Sequence, residues 1–321
     1  MPEGPEMPEP VKLAIVVPCY NEEEVLPETT RRLAALITEM VEAQTLSAES
    51  CIYYVDDGSI DRTWALVEAQ ADECRYVSGL KLSANRGHQN ALLAGLLTVE
   101  SDIVISIDAD LQDDIKVIPD MVAAFNQGFD IVYGVRKARD TDTFLKRTSA
   151  QLFYKLLGSM GVSVEYNHAD TRLMSRRALE ALKQYDEVNL FLRGLIPTIG
   201  FPSTRVEYDR AERFAGESKY GLAKMLGLAL DGITSFSAFP LRLVAILGLA
   251  IFLGSLAISG WVLWIRFVSD IAIPGWASSV LPMYFLGGIQ LLGIGILGEY
   301  TSKIYMETKR RPRFIIEKRL G

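Results

Sequence analysis

Short apolar runs alternate with amphipathic stretches through the first 135 residues of the chain. The apolar runs predict five strands, at Lys12–Val17, Cys51–Val55, Val77–Leu82, Ile103–Ile107 and Asp130–Tyr133. The stretches between them have helical spacing, at Glu22–Met40, Arg62–Ala71, Gln89–Thr98 and Ile115–Phe125. Strands that alternate with helices of this length predict an α/β fold, Rossmann-like, with a mostly parallel sheet and helices on both faces.

The pattern changes after residue 240. Residues 243–265 form 23 consecutive positions without a charge, and residues 271–298 form a second such run, predicted to be helical from about Val280. At about 1.5 Å per residue, the first run is long enough for the roughly 30 Å hydrocarbon core of a bilayer. These runs predict a two-helix transmembrane hairpin over residues 239–302. Small residues one turn apart permit close helix contacts, either within the hairpin or between the subunits of a homo-oligomer, at Ala250, Gly254, Ser255 and Ser259.

Lysine and arginine residues predict the orientation of this hairpin. The linker at 268–279 has none, whereas the tail at 303–321 has seven. Basic loops favour the cytoplasmic side, so we expect a multi-pass protein of the inner (plasma) membrane with a cytoplasmic tail and N-terminal domain. Residues 1–11 are predicted to be a disordered leader, 12–218 a folded domain, and 219–238 amphipathic helices at the membrane interface.

Charge is spread unevenly along the chain, whose net charge is −7. Residues 1–134 contain 8 basic and 24 acidic side chains, whereas residues 135–224 contain 16 basic and 11 acidic ones. The first segment therefore argues against a nucleic-acid partner, while the second is suited to anions. Three cysteines without metal-ligand spacing indicate a reducing compartment: Cys19, Cys51 and Cys74.

Polar clusters follow the first four predicted strands. They are Tyr20-Asn21-Glu22, Asp56-Asp57-Gly58-Ser59, Asn85-Arg86-Gly87 and Asp108-Ala109-Asp110. Ligands of open α/β sheets bind beyond the carboxyl ends of the strands, so these clusters predict one binding site. The cluster at 56–59 suits a turn that holds a nucleoside, although an ordinary Asx-turn remains open.

Two carboxylates in this set are spaced for a metal ion. In an extended segment Asp108 and Asp110 point the same way, so both can bind one hard cation, Mg²⁺ or Mn²⁺, that also carries diphosphate oxygens. Gln112 can add an amide oxygen. We expect Asp113 and Asp114 to cap the next helix, where negative charge suits the helix dipole.

The ordered motifs resemble a known enzyme family. VVPCYNEEE (16–24), VDDGSIDRT (55–63), NRGHQNALLAG (85–95) and DADLQDD (108–114) are similar to the motifs of the GT-A branch of inverting glycosyltransferases, in glycosyltransferase family two. Further segments narrow the resemblance to polyprenyl-phosphate glycosyltransferases, the group of bactoprenol glucosyltransferases and dolichol-phosphate mannose synthases: VYGVRKARD (132–140), DTRLMSRRAL (170–179), FLRGLIPTIGF (191–201) and RFAGESKYGL (213–222). The Gln-x-x-Arg-Trp motif of processive members is absent.

The resemblance implies roles for individual residues. Nucleotide-sugar contacts would come from Pro18, Tyr20, Glu22, Asp57, Asp108 and Asp110, and the metal ligands would be Asp108, Asp110 and Gln112. Catalytic roles would fall to Asp170, the acidic position near the acceptor, and to Asp110. Contacts to the lipid phosphate would come from Arg136, Lys146, Arg147, Arg172, Arg213, Ser218 and Lys219. His88 is interpreted as structural.

The implied reaction is the inverting, metal-dependent transfer of a hexose from a nucleotide sugar to polyprenyl phosphate in the membrane. Glucose from UDP-glucose is the favoured donor, and GDP-mannose is the alternative. A protein or diacylglycerol acceptor and a non-catalytic sensor or carrier of lipid-linked sugar are also open. Whether Asp170 accepts a proton or orients other groups is left open.

Overall fold

The computed structural model describes residues 10–136, 168–208, 239–268 and 276–320. The chain divides into two compact units. One unit comprises residues 1–155, 163–221 and 311–321, and the other comprises residues 156–162 and 222–310. The first unit is the α/β unit, and the second contains the long apolar stretches.

All nine elements predicted for the first 135 residues are present. The strands are β1 (Leu13–Cys19), β2 (Cys51–Asp56), β3 (Val77–Leu82), β4 (Ile103–Ser106) and β5 (Ile131–Arg136). The helices between them are α1 (Leu26–Glu42), α2 (Thr63–Glu73), α3 (His88–Thr98) and α4 (Val117–Asn126). Helix α1 begins four residues later than predicted, and Pro27, which lacks a backbone N–H, stands in its first turn.

Within the described residues, one sheet joins these five strands with β6 (His168–Ser175), β7 (Ser203–Tyr208) and β8 (Ile316–Leu320). The strand order is β7-β5-β6-β4-β1-β2-β3-β8. Strands β4, β1, β2 and β3 run parallel, with Cys19 opposite Asp56 and Val16 opposite Ser106. The prediction of an α/β fold with a mostly parallel sheet is therefore confirmed. The carboxyl ends of these four strands lie at the same edge of the sheet, as the positions of the polar clusters required.

Four elements between residues 168 and 208 have no counterpart in the prediction. They are β6 (His168–Ser175), α5 (Arg176–Leu182), α6 (Leu192–Thr198) and β7 (Ser203–Tyr208). Strand β6 lies antiparallel between β4 and β5, with Arg172 opposite both Ser106 and Tyr133. Because β6 begins where β4 ends, this pairing brings Asp170 to the carboxyl end of β4.

The core of the α/β unit surrounds the central strand. All seven residues of β1 are buried, and α3 packs closely over it. A Cβ atom added to Gly95 would lie 2.5 Å from Cγ1 of Val16 and 2.8 Å from Cγ2 of Val55. Only glycine permits α3 to lie this close to the sheet. The close packing fixes the position of α3, and with it the residues at the start of the helix.

The second unit contains two long helices, α7 (Phe239–Val268), which covers the first uncharged run, and α8 (Trp276–Lys309), which covers residues 276–298 of the second. In the part of the chain that the structure describes, no helix combines the length and apolarity needed to cross a membrane. The two spans therefore stay a prediction. The predicted interfacial helices at 219–238 lie outside the described residues.

The basic tail at 303–321 does not form one segment. Its first part belongs to α8, and its last part forms strand β8 (Ile316–Leu320), which pairs antiparallel with β3. Ser83 N also donates to Ile315 O at 2.9 Å. At the other terminus Val11, assigned above to the leader, forms a bridge with Leu46, so ordered pairing begins before residue 12.

Candidate active site

The loops after β1 and β2 are joined to each other by hydrogen bonds. Ile60 N donates to Asn21 Oδ1 at 3.0 Å, and Glu22 N donates to Thr63 Oγ1 at 2.9 Å. Asn21 has φ +53°, a left-handed conformation that asparagine tolerates better than most residues. The Tyr20-Asn21-Glu22 cluster and the 56–63 segment therefore form one wall of the site.

The second and third loops are joined in the same way. Asp57 accepts from Arg86 N at 2.7 Å and from Gly87 N at 2.9 Å. Burial raises the pKa of Asp57, although these two N–H groups oppose the rise. Asp56 accepts from Ser59 N at 3.3 Å. Asp56 thus holds a local turn, which is the second of the two alternatives for this cluster, whereas Asp57 joins its loop to the loop after β3. The predicted nucleotide contact of Asp57 stays a prediction.

The Asp-x-Asp segment forms a turn held by backbone contacts. Thr29 Oγ1 donates to Ala109 O at 2.8 Å, Gln112 N donates to Asp110 Oδ1 at 3.1 Å, and Leu111 has φ +55°. Asp108 is partly exposed. Burial raises its pKa to about 6, assisted by the neighbouring carboxylates and opposed by His88. An excess of carboxylates that disfavours ionisation is the setting that a divalent cation would stabilise.

Asp113 corrects one prediction from the sequence. Instead of capping α4, it is buried and accepts from Thr171 Oγ1 at 2.6 Å and from Arg136 Nε at 3.0 Å. Asp114 does act near the start of α4, where it accepts from Lys116 N at 3.0 Å. Arg136, a predicted contact of the lipid phosphate, therefore forms an ion pair with Asp113, and a quarter of its side chain remains exposed.

Asp170 lies between two arginines. Arg193 donates to both of its oxygens at 3.0 Å, and Arg172 Nη2 donates to Oδ1 at 3.1 Å. Burial alone would raise the pKa of Asp170, but His88 and the two guanidinium groups outweigh it and hold that pKa well below its usual value. Arg172, another predicted phosphate contact, has a completely buried side chain. In this geometry it supports Asp170 and has no open path to a lipid.

His88 stands between the two acidic groups. Its Nε2 lies 3.6 Å from Asp108 Oδ1 and 3.7 Å from Asp170 Oδ2, slightly beyond hydrogen-bond distance. Burial lowers the pKa of His88, but the two carboxylates outweigh that effect and raise it. The interpretation of His88 as structural stays a prediction, and the structure adds that its ring lies between the Asp108 and Asp170 carboxylates.

Helix α6 brings a residue that the sequence-based list of site residues missed. Leu192 N donates to Gln89 Oε1 at 2.9 Å, which ties the start of α6 to the start of α3. The next residue is Arg193, which reaches Asp170. FLRGLIPTIGF contains this arginine, but neither its spacing nor its neighbours indicate that it meets residue 170.

The remaining predicted residues fall into two groups. Pro18 is buried in β1, Tyr20 is half-buried at its end, and Glu22 lies in the joined loops. Outside the described residues lie Lys146, Arg147, Arg213, Ser218 and Lys219.

The side chains fit a hard divalent cation. Ligand atoms of His88, Asp108 and Asp170 lie within 4.8 Å of one another, and the Asp110 carboxylate and the Gln112 amide belong to the same turn as Asp108. Oxygen donors of this kind suit Mg²⁺ or Mn²⁺. Because Asp170 already has two guanidinium partners, the oxygen-rich side at Asp108, Asp110 and Gln112 is the better match.

Comparison with known proteins agrees with this geometry. Residues 14–183 match the sequence profile of Glycosyl transferase family 2. The chain is 52% identical to the uncharacterized glycosyltransferase YkoT of Bacillus subtilis, over 95% of this chain and 91% of that protein. It is 41% identical to the bactoprenol glucosyl transferase of Shigella phage SfX, over 96% of this chain and all of that protein.

A prophage bactoprenol glucosyl transferase homolog of Escherichia coli is 40% identical over 96% of this chain and 99% of that protein. Among solved structures, mannosyl-3-phosphoglycerate synthase from Rubrobacter xylanophilus has a TM-score of 0.49 at 15% identity, over 84% of this chain and 80% of that one. The family profile and the near full-length relatives carry the conclusion: the chain belongs to glycosyl transferase family 2 and is a glycosyltransferase.

Proposed function

We propose that the protein transfers glucose from UDP-glucose to polyprenyl phosphate, with inversion at the anomeric carbon and with a bound Mg²⁺ or Mn²⁺. The names of two relatives that match almost end to end support the glucosyl group and the bactoprenol-type acceptor. The product is a polyprenyl-monophosphate sugar, a donor for glycosylation of the cell envelope.

The observation that carries the proposal is that a turn rich in carboxylates lies close to a carboxylate that is paired with arginines. Asp108 begins the carboxylate-rich turn, Asp170 is surrounded by guanidinium groups, and the His88 ring lies within 3.7 Å of both. A donor diphosphate needs a cation to balance the charge that develops as it leaves, and a bound metal supplies that chemistry. Asp108, Asp110 and Gln112 would hold it.

The nucleophile already exists in the acceptor. A phosphate monoester has a second pKa of about 6, so it is mostly dianionic near neutral pH and needs no strong general base. The oxygens of Asp170 accept three guanidinium hydrogen bonds. We therefore assign Asp170 an orienting role, in which it holds two cations beside the path of the incoming phosphate.

A lipid acceptor requires the enzyme to work at a membrane surface. The proposal therefore includes attachment through the uncharged runs at 243–265 and 271–298, with 219–238 at the interface and the α/β unit on the cytoplasmic side. Expression of the full chain followed by alkaline carbonate extraction tests this part. The protein should stay with the membrane pellet, and quantitative release into the supernatant would contradict it.

One experiment tests the reaction. Membranes containing the full chain are incubated with labelled UDP-glucose or GDP-mannose, with and without added undecaprenyl phosphate. We expect label from UDP-glucose to enter the lipid phase only with the lipid phosphate, and to be lost in excess chelator and in Asp108→Asn. Asp114→Asn is the matched control, because that carboxylate belongs to the same motif but caps a backbone N–H.

The other outcomes are equally clear. Lipid labelling from GDP-mannose alone would replace the donor by GDP-mannose. Label in protein or diacylglycerol would replace the acceptor. Absence of any transfer, with the chain folded and lipid phosphate supplied, would overturn the proposal in favour of a non-catalytic role.

A further inference from the structure

The segment that follows α8 contacts both loops that lead into the candidate site. Ser83 N, at the start of the loop before α3, donates to Ile315 O at 2.9 Å. Two positions earlier, Arg313 Nη1 donates to Tyr185 O at 2.9 Å and to Glu187 O at 3.4 Å. Both of these carbonyls belong to the loop between α5 and α6. One short stretch of chain therefore holds the approach to α3 and the approach to α6.

The loop between α5 and α6 leads directly to the Asp170 cluster. It contains no helix or strand, and Arg193 follows Glu187 by six positions. Leu192 N donates to Gln89 Oε1 at 2.9 Å, and Arg193 donates to both oxygens of Asp170 at 3.0 Å. The path of this loop therefore sets where α6 begins and where the guanidinium group of Arg193 meets Asp170.

The side chain of Arg313 extends from a part of the chain that the sheet holds in place. It lies three residues before β8, which pairs with β3 from Leu82 opposite Ile316 to Gly79 opposite Leu320. A guanidinium group carries several donors in one rigid plane, so it can hold two neighbouring carbonyls at once. Since both acceptors are backbone atoms, the contact fixes the path of the loop whatever its side chains do.

On the basis of the proposed function, we propose that Arg313 is a positioning residue for sugar transfer. By holding the carbonyls of Tyr185 and Glu187, it fixes the start of α6 and keeps Arg193 against Asp170. In this role Arg313 acts through the loop and not on a reactant. A displacement of about 1 Å in a group that orients the reactants can cost about 100-fold in rate, so a distant contact of this kind affects turnover.

Amide hydrogen exchange of the full chain in detergent tests the contact without any substrate. We expect Arg313→Gln to speed exchange at the amides of α6 about 10-fold or more, the factor for loss of a hydrogen bond to a charged donor. Exchange in β1 and α4 should be unchanged. Arg311→Gln is the matched control, because Arg311 is an exposed arginine of the same segment, and it should exchange like the wild type.

The exchange results divide cleanly. Unchanged exchange in α6 of Arg313→Gln would show that the contact does not hold the helix. Faster exchange throughout the α/β unit would show that Arg313 stabilises the whole fold instead of one loop. Either result would overturn the inference.

Steady-state kinetics in membranes test the effect on transfer. With UDP-glucose and undecaprenyl phosphate both saturating, we expect Arg313→Gln to lower kcat about 10- to 100-fold and to leave KM for UDP-glucose unchanged. Arg313→Lys should recover part of the loss, because an ammonium group can still donate to a carbonyl but lacks the planar set of donors. Arg311→Gln should keep the wild-type kcat.

A double variant separates positioning of the Asp170 cluster from a general loss of structure. In the Asp170→Asn background, Arg313→Gln should lower kcat little further, because Arg193 has already lost the carboxylate against which it is held. Losses that multiply in the double variant, a wild-type kcat in Arg313→Gln, or a matching rise in KM for UDP-glucose would each overturn the inference.

Failure of the proposed function has a different signature. A wild-type chain that transfers no sugar, while Arg313→Gln still speeds exchange in α6 alone, would contradict the proposed function and leave the contact between Arg313 and the α6 loop in place.

Discussion

Two aspartates of the α/β unit each hold an arginine by two hydrogen bonds, yet they do different things. Asp130, next to β5, accepts from Arg177 and from Ser175 Oγ. One carboxylate there meets one guanidinium group, and the charges cancel. Asp170 meets two guanidinium groups and lies near the His88 ring. The same pairing chemistry stands alone at Asp130, whereas at Asp170 it belongs to a cluster of ionisable side chains that includes Asp108.

The difference lies in what remains after pairing. Arg177 is 62% exposed and lies over the Phe201 ring at 4.5 Å, so its environment is complete without a ligand. At Asp170 an exposed arginine and a buried one both donate to the same carboxylate, and His88 and Asp108 lie in the same cluster. The close grouping of several ionisable side chains, rather than the presence of an ion pair, therefore marks the candidate site.

The largest expected difference between Asp170 and Asp130 is the effect of neutralising each of them on turnover. We expect Asp170→Asn to lower kcat about 100- to 1,000-fold, because the two guanidinium groups lose the carboxylate that orients them. Asp130→Asn should leave kcat per folded molecule unchanged. Transfer assays at a temperature where both variants are folded would check this, and similar turnover for the two variants would remove Asp170 from the mechanism.

The same two variants should differ in stability. Asp170→Asn leaves the buried Arg172 without its carboxylate and should lower the free energy of unfolding by about 3 kcal/mol. Asp130→Asn should cost about 1 kcal/mol, since its arginine is largely exposed and screened. Denaturant titration of the full chain in detergent, followed by tryptophan fluorescence, measures both values, and a larger loss for Asp130→Asn would contradict the comparison.

Removing Arg177, the exposed arginine paired with Asp130, should change the stability less than removing Asp130 does. We expect Arg177→Gln to lower the free energy of unfolding by less than Asp130→Asn does, because the guanidinium group is largely exposed and Ser175 still donates to Asp130. The same titration applies, with Arg31→Gln on the surface of α1 as a control for the loss of an exposed arginine. A loss above that of Asp130→Asn would show that Arg177 stabilises the fold by other contacts.

The smallest expected effect is the loss, at acid pH, of the stability that Asp130 contributes. Burial opposes ionisation of Asp130, but Arg177 and Ser175 outweigh it and lower the pKa of Asp130 in the folded state. A lowered folded pKa contributes stability above the unfolded value of about 3.9, and that stability is lost as pH falls through the folded pKa. The stability difference between wild type and Asp130→Asn should therefore be constant from pH 7 to pH 5 and shrink as the pH falls below the unfolded value of about 3.9. A difference that persists in acid would contradict it.

The elements of the first 135 residues could be predicted because each is marked locally. Strand runs such as Cys51–Val55 are apolar and short, and polar residues follow them at the edge where ligands bind. The position of the Asp-x-Asp segment after β4 was also predictable, since its residues are adjacent in sequence, but its predicted extended conformation was wrong, because Ala109 and Asp110 lie in a turn.

The cluster of residues around Asp170 could not be predicted in the same way. His88, Asp170 and Arg193 come from three distant segments, and only the antiparallel pairing of β6 with β4 brings them together. That register depends on packing that no local pattern encodes. Asp113 illustrates the same limit: a helix start favours a capping carboxylate, but tertiary contacts with Thr171 and Arg136 prevail.

The last strand has a consequence for how the chain can thread a bilayer. Because β8 is hydrogen-bonded to β3, the polypeptide leaves the sheet after residue 208 and later returns to it. If both ends of a segment belong to one sheet on one side of a bilayer, the segment can cross that bilayer only an even number of times. Any count of one or three crossings between residues 208 and 316 is thereby excluded by connectivity alone.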